Sequence, residues 1–183
     1  MAKLSFRYGA MGSSKTANIL MIKYNFEEKG KKAVLLKPRL ENRDGSTKLK
    51  SRIGLESECS FVEDYLANPI DCDCVLVDEA QFLTKEQVDK LSDIADFQDI
   101  PVICFGLRTD FQSNLFEGSK RLMEIADELQ EITTICWCGK KARYNARIVD
   151  GKIIKDGDQV QLGGNESYTS LCRKHFKLNK LGE

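Results

Sequence analysis

Short unbroken apolar runs alternate with amphipathic stretches through roughly the first 130 residues, the pattern of a parallel sheet whose strands are joined by crossover helices. Leu4 to Tyr8 reads as a first strand, followed by a glycine-containing loop and a helix from Lys15 with Ala17, Leu20, Met21 and Tyr24 on one face, stopped at Gly30. Ala33 to Leu36 and Cys74 to Val77 are solid apolar runs, as expected of strands buried on both faces. Between them, 39–53 is charged and polar and reads as a mobile loop, and a short helix is expected over Ser60 to Ala67. Thr84 with Gln87 three residues on has the form of a capping box, and Val88, Leu91, Ile94 and Ala95 continue a helical stripe. Val102 to Phe105 is a fourth strand, and Leu122, Ile125, Ala126 and Leu129 mark one more helix.

Beyond about residue 131 the period shortens. Thr133 to Cys136, Tyr144 to Val149 and Gln159 to Leu162 are β-like pieces, and Asp150-Gly151 and Asp156-Gly157 are hairpin signals. The division expected is a nucleotide-type α/β domain over 1–130 and a small β-rich module over 131–183.

Composition narrows the function classes. A chain of 183 residues has room for one domain and a small appendage. With 28 Lys+Arg against 28 Asp+Glu there is no broad basic field to hold a nucleic acid or an anionic membrane. No apolar run approaches the ~18 residues of a bilayer span, so a soluble, cytoplasmic protein is expected. In a reducing compartment the seven cysteines divide between packing and metal binding, and His175 is the single histidine.

The segment Gly9-Ala10-Met11-Gly12-Ser13-Ser14-Lys15-Thr16 lies where a phosphate-binding loop belongs, between a strand and a helix. Successive backbone N–H groups there make an anion nest, the helix N-terminus adds partial positive charge, Lys15 reaches the terminal phosphates and Thr16 offers its hydroxyl to Mg²⁺. Ser14 stands where the second consensus glycine is expected, and the mechanism is preserved provided its backbone needs no positive φ. Asp78 ends the third strand, where a carboxylate can hold the metal through water. Glu79 follows it, pointing elsewhere, as a general base. Two reaction classes fit that base: an ATPase activating water, and a kinase taking the proton of a substrate hydroxyl. A small chain with a separate β module and no evident arginine finger favours transfer to a bound acceptor. Asn179-Lys180-Leu181-Gly182 resembles a guanine-specificity motif but lacks its final acid and follows no strand.

Cys136, Cys138, Cys172 and His175 supply the ligands of a tetrahedral structural zinc. Cys72 and Cys74 form a rival Cys-x-Cys, but one that precedes a buried strand without a turn glycine, where cysteine packs as a small apolar side chain. With all four positions filled by protein, the metal has no open site for water and would pin the intervening short strands together. Lys140, Lys141 and Arg143 raise a third possibility, a zinc-knuckle nucleic-acid module, which the balanced charge opposes.

Gly9 to Thr16, Asp78-Glu79-Ala80-Gln81-Phe82, Phe105 to Phe111, and Gly163-Gly164-Asn165-Glu166-Ser167-Tyr168 leading into Cys172 and His175 together resemble the zinc-containing, type II thymidine kinases, over nearly the whole chain. The resemblance implies an α/β P-loop NTPase fold with a RecA-like parallel sheet and a C-terminal zinc module. It implies ATP- and Mg²⁺-dependent phosphorylation of the thymidine 5′-hydroxyl, giving thymidine monophosphate in nucleotide salvage for DNA synthesis. It also implies a cytoplasmic homotetramer inhibited by thymidine triphosphate. By position, Glu79 is the proton acceptor and residues 9–16 with Asp78, Glu79, Ala80 and Gln81 form the nucleotide site. A loop mapping to Gln159, Val160, Gln161, Leu162 and Gly163 would close on the thymine edge, with Phe111 and Tyr168 as aromatic contacts and Phe82 and Met11 as further lining. A flat base wants apolar faces and fixed donors and acceptors at its edge, which a wrong base would leave unpaired.

Overall fold

The computed structural model of the protein describes residues 1–41, 46–160 and 167–182. In chain order the elements are β1 (Leu4–Tyr8), α1 (Lys15–Glu28), β2 (Ala33–Lys37), β3 (Lys48–Lys50), β4 (Glu56–Glu58), β5 (Ser60–Phe61), α2 (Val62–Ala67), β6 (Cys74–Val77), α3 (Lys85–Gln98), β7 (Val102–Gly106), α4 (Glu117–Ile125) and β8 (Glu128–Glu131). There follow β9 (Thr134–Ile135), β10 (Lys141–Ala142), β11 (Tyr144–Val149), β12 (Lys152–Ile154), β13 (Ser167–Leu171) and α5 (Arg173–Lys177).

A six-stranded sheet in the order β5-β2-β6-β7-β1-β8 is parallel throughout. The pleat sends alternate side chains to opposite faces, so Val34, Leu36, Val75 and Val77 join one apolar cluster with Val88, Leu91, Ile94, Ala95 and Leu122. Ala33, Leu35, Cys74 and Leu76 join the other, beneath Ile19 and Leu20 of α1. The capping box is present at the start of α3: the Thr84 hydroxyl accepts from Gln87 N at 3.2 Å, and the Gln87 side chain returns the bond to Thr84 N. No helix of the described residues is long and apolar enough to cross a membrane.

Three expectations for the first 131 residues change. On α1, Met21 and Tyr24 are 56% and 63% exposed, and Ile19 with Ile22 and Phe26 forms the inward stripe instead. The helix carries apolar residues on two sides, and the sheet covers only one. Within 39–53, the described residues after 45 belong to a β3–β4 hairpin that buries Leu49 under α1, while 42–45 lie outside the described residues. Finally, α4 ends at Ile125, because Asp127 docks on the first strand, its backbone N–H on Leu4 O at 2.9 Å and its carboxylate accepting from Leu4 N at 2.8 Å. Leu129 therefore lies on strand β8, half exposed.

The C-terminal part forms its own small cluster of Cys136, Ala142, Ala146, Leu171, Cys172 and Phe176. The Asp150-Gly151 hairpin joins β11 to β12, with both φ angles positive (47° and 73°), as a tight two-residue turn of this type requires. Among the described residues Asp156-Gly157 opens no hairpin and Gln159-Val160 is not a strand, while 161–162 lie outside them; β11 takes β13 as its second neighbour, with Asn145 opposite Ser170.

Candidate functional site

Parallel strands deliver their carboxyl ends to one edge of the sheet, where such sheets bind ligands. Here β1, β6 and β7 end at Gly9, Asp78 and Gly106–Leu107, and Gly9 N donates to Gly106 O at 3.2 Å across that edge. A cavity of about 300 Å³ opens there, lined by Met11, Gly12, Ser14, Lys15 and Thr16 of the loop and by Glu79, Gln81, Phe82 and Leu107.

The loop curls around the Lys15 ammonium. Lys15 Nζ lies within its concavity, donating to Gly9 O at 3.2 Å, Ala10 O at 3.0 Å and Ser13 Oγ at 3.2 Å. Burial holds the Lys15 ammonium below its ordinary pKa, opposed by Glu79 and Asp78. Ser14 does adopt a left-handed conformation, φ 61° and ψ 26°, so the condition set by its sequence position is not met: the loop carries backbone strain where the consensus has glycine.

Thr16 Oγ1 donates to Asp78 Oδ2 at 2.9 Å, bringing together the two groups expected to serve one metal. Asp78 is almost fully buried, and its pKa is pushed up to about 7, first by burial and then by the neighbouring Glu79 charge; Thr16, the Glu79 N–H and Lys15 pull it back. A hydroxyl and a carboxylate are the hard oxygen donors that Mg²⁺ takes beside phosphate oxygens, so the residues present fit the ion.

Glu79 lies at φ 52° and ψ 35° at the head of a 3₁₀ turn over Ala80–Phe82. Left-handed backbone at a non-glycine residue in a cleft is characteristic of functional sites. Its carboxylate accepts a hydrogen bond from Gln81 Nε2, and Gln81 Oε1 accepts from Leu107 N at 3.0 Å. That interlock leaves no space beside β7: a Cβ on Gly106 would lie 2.7 Å from Gln81 Oε1 and 3.0 Å from its backbone nitrogen.

A second cavity adjoins the first. It is lined by Thr109, Asp110, Phe111, Phe116, Asn145, Gln159, Val160 and Tyr168, and it shares Met11, Phe82 and Leu107 with its neighbour. The structure thus brings Phe111, Tyr168, Gln159 and Val160 together; Gln161, Leu162 and Gly163 lie outside the described residues. Two positions that sequence reasoning missed hold this wall. Arg147, 1% exposed, stacks its guanidinium 3.7 Å from the Phe111 ring centroid, donates to Tyr168 Oη at 2.8 Å and donates to Gln159 O at 3.3 Å. Asp110, also buried, accepts from Gln159 Nε2 at 2.8 Å. For Arg147, and for Asn145 on the same strand, the available signal was a polar residue inside a β-like run, where a buried side chain needs a partner; Asp110 carried none. Lys50 and Arg52, unassigned from sequence, also line the first cavity.

Cys136, Cys138, Cys172 and His175 converge, with ligand atoms all within 4.8 Å of one another. A tetrahedral zinc with Zn–S near 2.3 Å and Zn–N near 2.05 Å requires S···S of about 3.8 Å and S···N of about 3.6 Å. The protein has Cys138 Sγ to Cys172 Sγ at 3.9 Å, and Cys136 Sγ and Cys172 Sγ at 3.5 and 3.4 Å from His175 Nδ1. The donor set is therefore compatible with zinc. Cys72, by contrast, is buried against Tyr65 Oη at 3.6 Å, and Cys74 packs in the sheet.

Comparison with known proteins agrees with this geometry. A family model described as "Thymidine kinase" matches residues 2–176. The chain belongs to the thymidine kinase family. It is 51% identical over 187 residues to the thymidine kinase of Rhodopirellula baltica, covering 97% of this chain and 89% of that one. It is 50% identical over 185 residues to that of Lactiplantibacillus plantarum, covering 96% of each. With that of Mannheimia succiniciproducens it shares 44% over 188 residues, 97% and 96% of the two chains. Among solved structures, a replication initiator DnaA bound to AMPPCP and single-stranded DNA superposes at TM-score 0.47 and 18% identity, over 73% of this chain and 41% of that one, a likeness too weak to bear on function.

Proposed function

We propose that this member of the thymidine kinase family is an ATP:thymidine 5′-phosphotransferase. The observation that carries the reading is the pair of adjoining cavities: one floored by the phosphate loop, the other walled by aromatic rings, with Met11, Phe82 and Leu107 common to both. A water-activating ATPase has no use for the second cavity.

ATP phosphates would sit on the loop 9–16, with Lys15, Lys50 and Arg52 offsetting their charge. Thr16 and Asp78 would hold Mg²⁺, which when bound neutralises charge developing on the transferred phosphoryl group. Phe111 and Tyr168 would flank the base, and residues 159–163 would close on its edge. Glu79, steadied by Gln81, takes the proton of the 5′-hydroxyl as its oxygen attacks phosphorus and the bond to the ADP oxygen breaks. Zinc on Cys136, Cys138, Cys172 and His175 would be structural. In this arrangement residues 1–130 form the nucleotide unit and 131–183 the zinc unit, and the family suggests a cytoplasmic homotetramer under thymidine triphosphate inhibition.

The test is product analysis with Mg-ATP and a panel of nucleosides. Thymidine monophosphate and ADP in equal amounts are expected; ADP formed without any acceptor would refute the assignment.

A further inference from the structure

The two cavities share Met11, Phe82 and Leu107, and one buried side chain ties the phosphate loop to the acceptor wall. Asn145 of β11 is 4% exposed. Its Oδ1 accepts from Met11 N at 2.8 Å, and its Nδ2 donates to Thr109 O at 2.9 Å. Met11 belongs to the phosphate loop and lines both cavities, and Thr109 lines the acceptor cavity. A primary amide offers an acceptor and a donor from one rigid plane, so both bonds are satisfied without any further group. An ionised carboxylate could keep only the bond to Met11 N, and an apolar residue neither.

Asn145 is itself held from the metal side. It pairs with Ser170 across the β11–β13 ladder, Arg143 N donates to Leu171 O at 3.0 Å, and β13 runs directly into Cys172. The chain of contacts is therefore zinc ligands, β13, β11, Asn145, and from there the phosphate loop and the acceptor wall. The bond to Thr109 O is buried and that from Met11 N partly so, a setting where an unmatched polar group is costly.

We propose that Asn145 is a positioning residue that helps fix the separation between the phosphate donor and the nucleoside acceptor, so that the zinc-held segment acts on phosphoryl transfer through its amide. The assignment rests on the kinase function above. An amide that merely fastened the segment would affect stability and binding; one that sets the approach of two substrates affects the chemical step, where a misplacement of about 1 Å costs on the order of 10²-fold.

The experiment uses full-length Asn145→Ala and Asn145→Asp, with zinc content and melting temperature recorded. It measures kcat, both KM values, and calorimetric Kd for thymidine and for Mg-AMPPCP separately. In Asn145→Ala, kcat is expected to fall about 10- to 100-fold while each Kd stays within about threefold. Asn145→Asp, of nearly the same volume and still able to accept from Met11 N, is expected to keep its Mg-AMPPCP affinity and lose kcat similarly; it decides the matter if the alanine variant does not fold. Full kcat in either zinc-loaded variant overturns the assignment, as does a loss wholly explained by weaker binding of one ligand. Wild-type protein that makes no thymidine monophosphate overturns the function itself, a result distinct from an active wild type with an equally active variant.

Discussion

Replacing Ser14 by glycine should stabilise the protein, against the usual effect of adding a glycine. Ser14 sits at φ 61°, is exposed, and its side chain makes no capping bond to α1. Its conformation is held through its carbonyl, which accepts from Asn18 N at 3.0 Å and Asn18 Nδ2 at 2.9 Å. A Cβ in the left-handed region costs about 1–2 kcal/mol. Glycine removes that cost but loses about 0.5–1 kcal/mol more chain entropy on folding. The net gain expected is about 0.5–1 kcal/mol, or about 1–3 °C in Tm for a chain of this size. Ser14→Ala keeps the Cβ and sacrifices no capping bond, so it should gain nothing. The assay is urea and thermal unfolding of the three zinc-loaded proteins without nucleotide. Equal stability of the glycine and alanine variants, or a glycine variant less stable than wild type, would refute the strain argument.

Asp78 supplies a pH prediction. Its folded pKa of about 7 lies above the ordinary 3.8, so the folded protein binds a proton that the unfolded chain releases between those values. The cost of burying the ionised carboxylate is present in full above pH 7 and is relieved as pH falls. Asp78→Asn should therefore stabilise the nucleotide-free protein at pH 8, by at most about 4 kcal/mol, with the difference fading toward pH 4 in urea titrations. Mg-ATP binding, which needs the ionised form, should weaken in wild type as pH drops below 7. Chelating zinc, or Cys172→Ser, should loosen the Cys136, Leu171 and Phe176 cluster and raise the thymidine Kd before the AMPPCP Kd, followed by calorimetry and zinc content. Arg147→Met keeps bulk beside Phe111 but loses the donors to Tyr168 and Gln159, and should raise the thymidine KM about 10-fold with the ATP KM unchanged.

The parts of this site legible in the sequence were those whose chemistry is local. The phosphate loop, the Asp78-Glu79 strand end and the Thr84 capping box show in the local sequence, and the cysteine-histidine set does so once Gly139 is weighed beside the tight Cys136-x-Cys138 spacing. Met21 and Tyr24 misled because α1 is apolar on two sides, and only the sheet decides which side is covered. Leu129 fits a helical stripe, but Asp127 binds the start of β1 and turns the chain into an edge strand. Asn145 and Arg147 showed locally only as polar residues within a β-like run, because the partners that give them a role lie far along the chain, at Met11, Thr109 and Tyr168. Ser14 was read correctly as a departure, but its φ depends on the closed loop.

The most direct test of the central claim, that Glu79 accepts the proton of a nucleoside hydroxyl, is single-turnover phosphorylation of thymidine by Glu79→Gln beside wild type, with AMPPCP affinity measured on the same samples. The account predicts unchanged nucleotide affinity and a rate lowered by roughly 10²–10⁴, the usual worth of a general base. A variant that phosphorylates thymidine at the wild-type rate would contradict it.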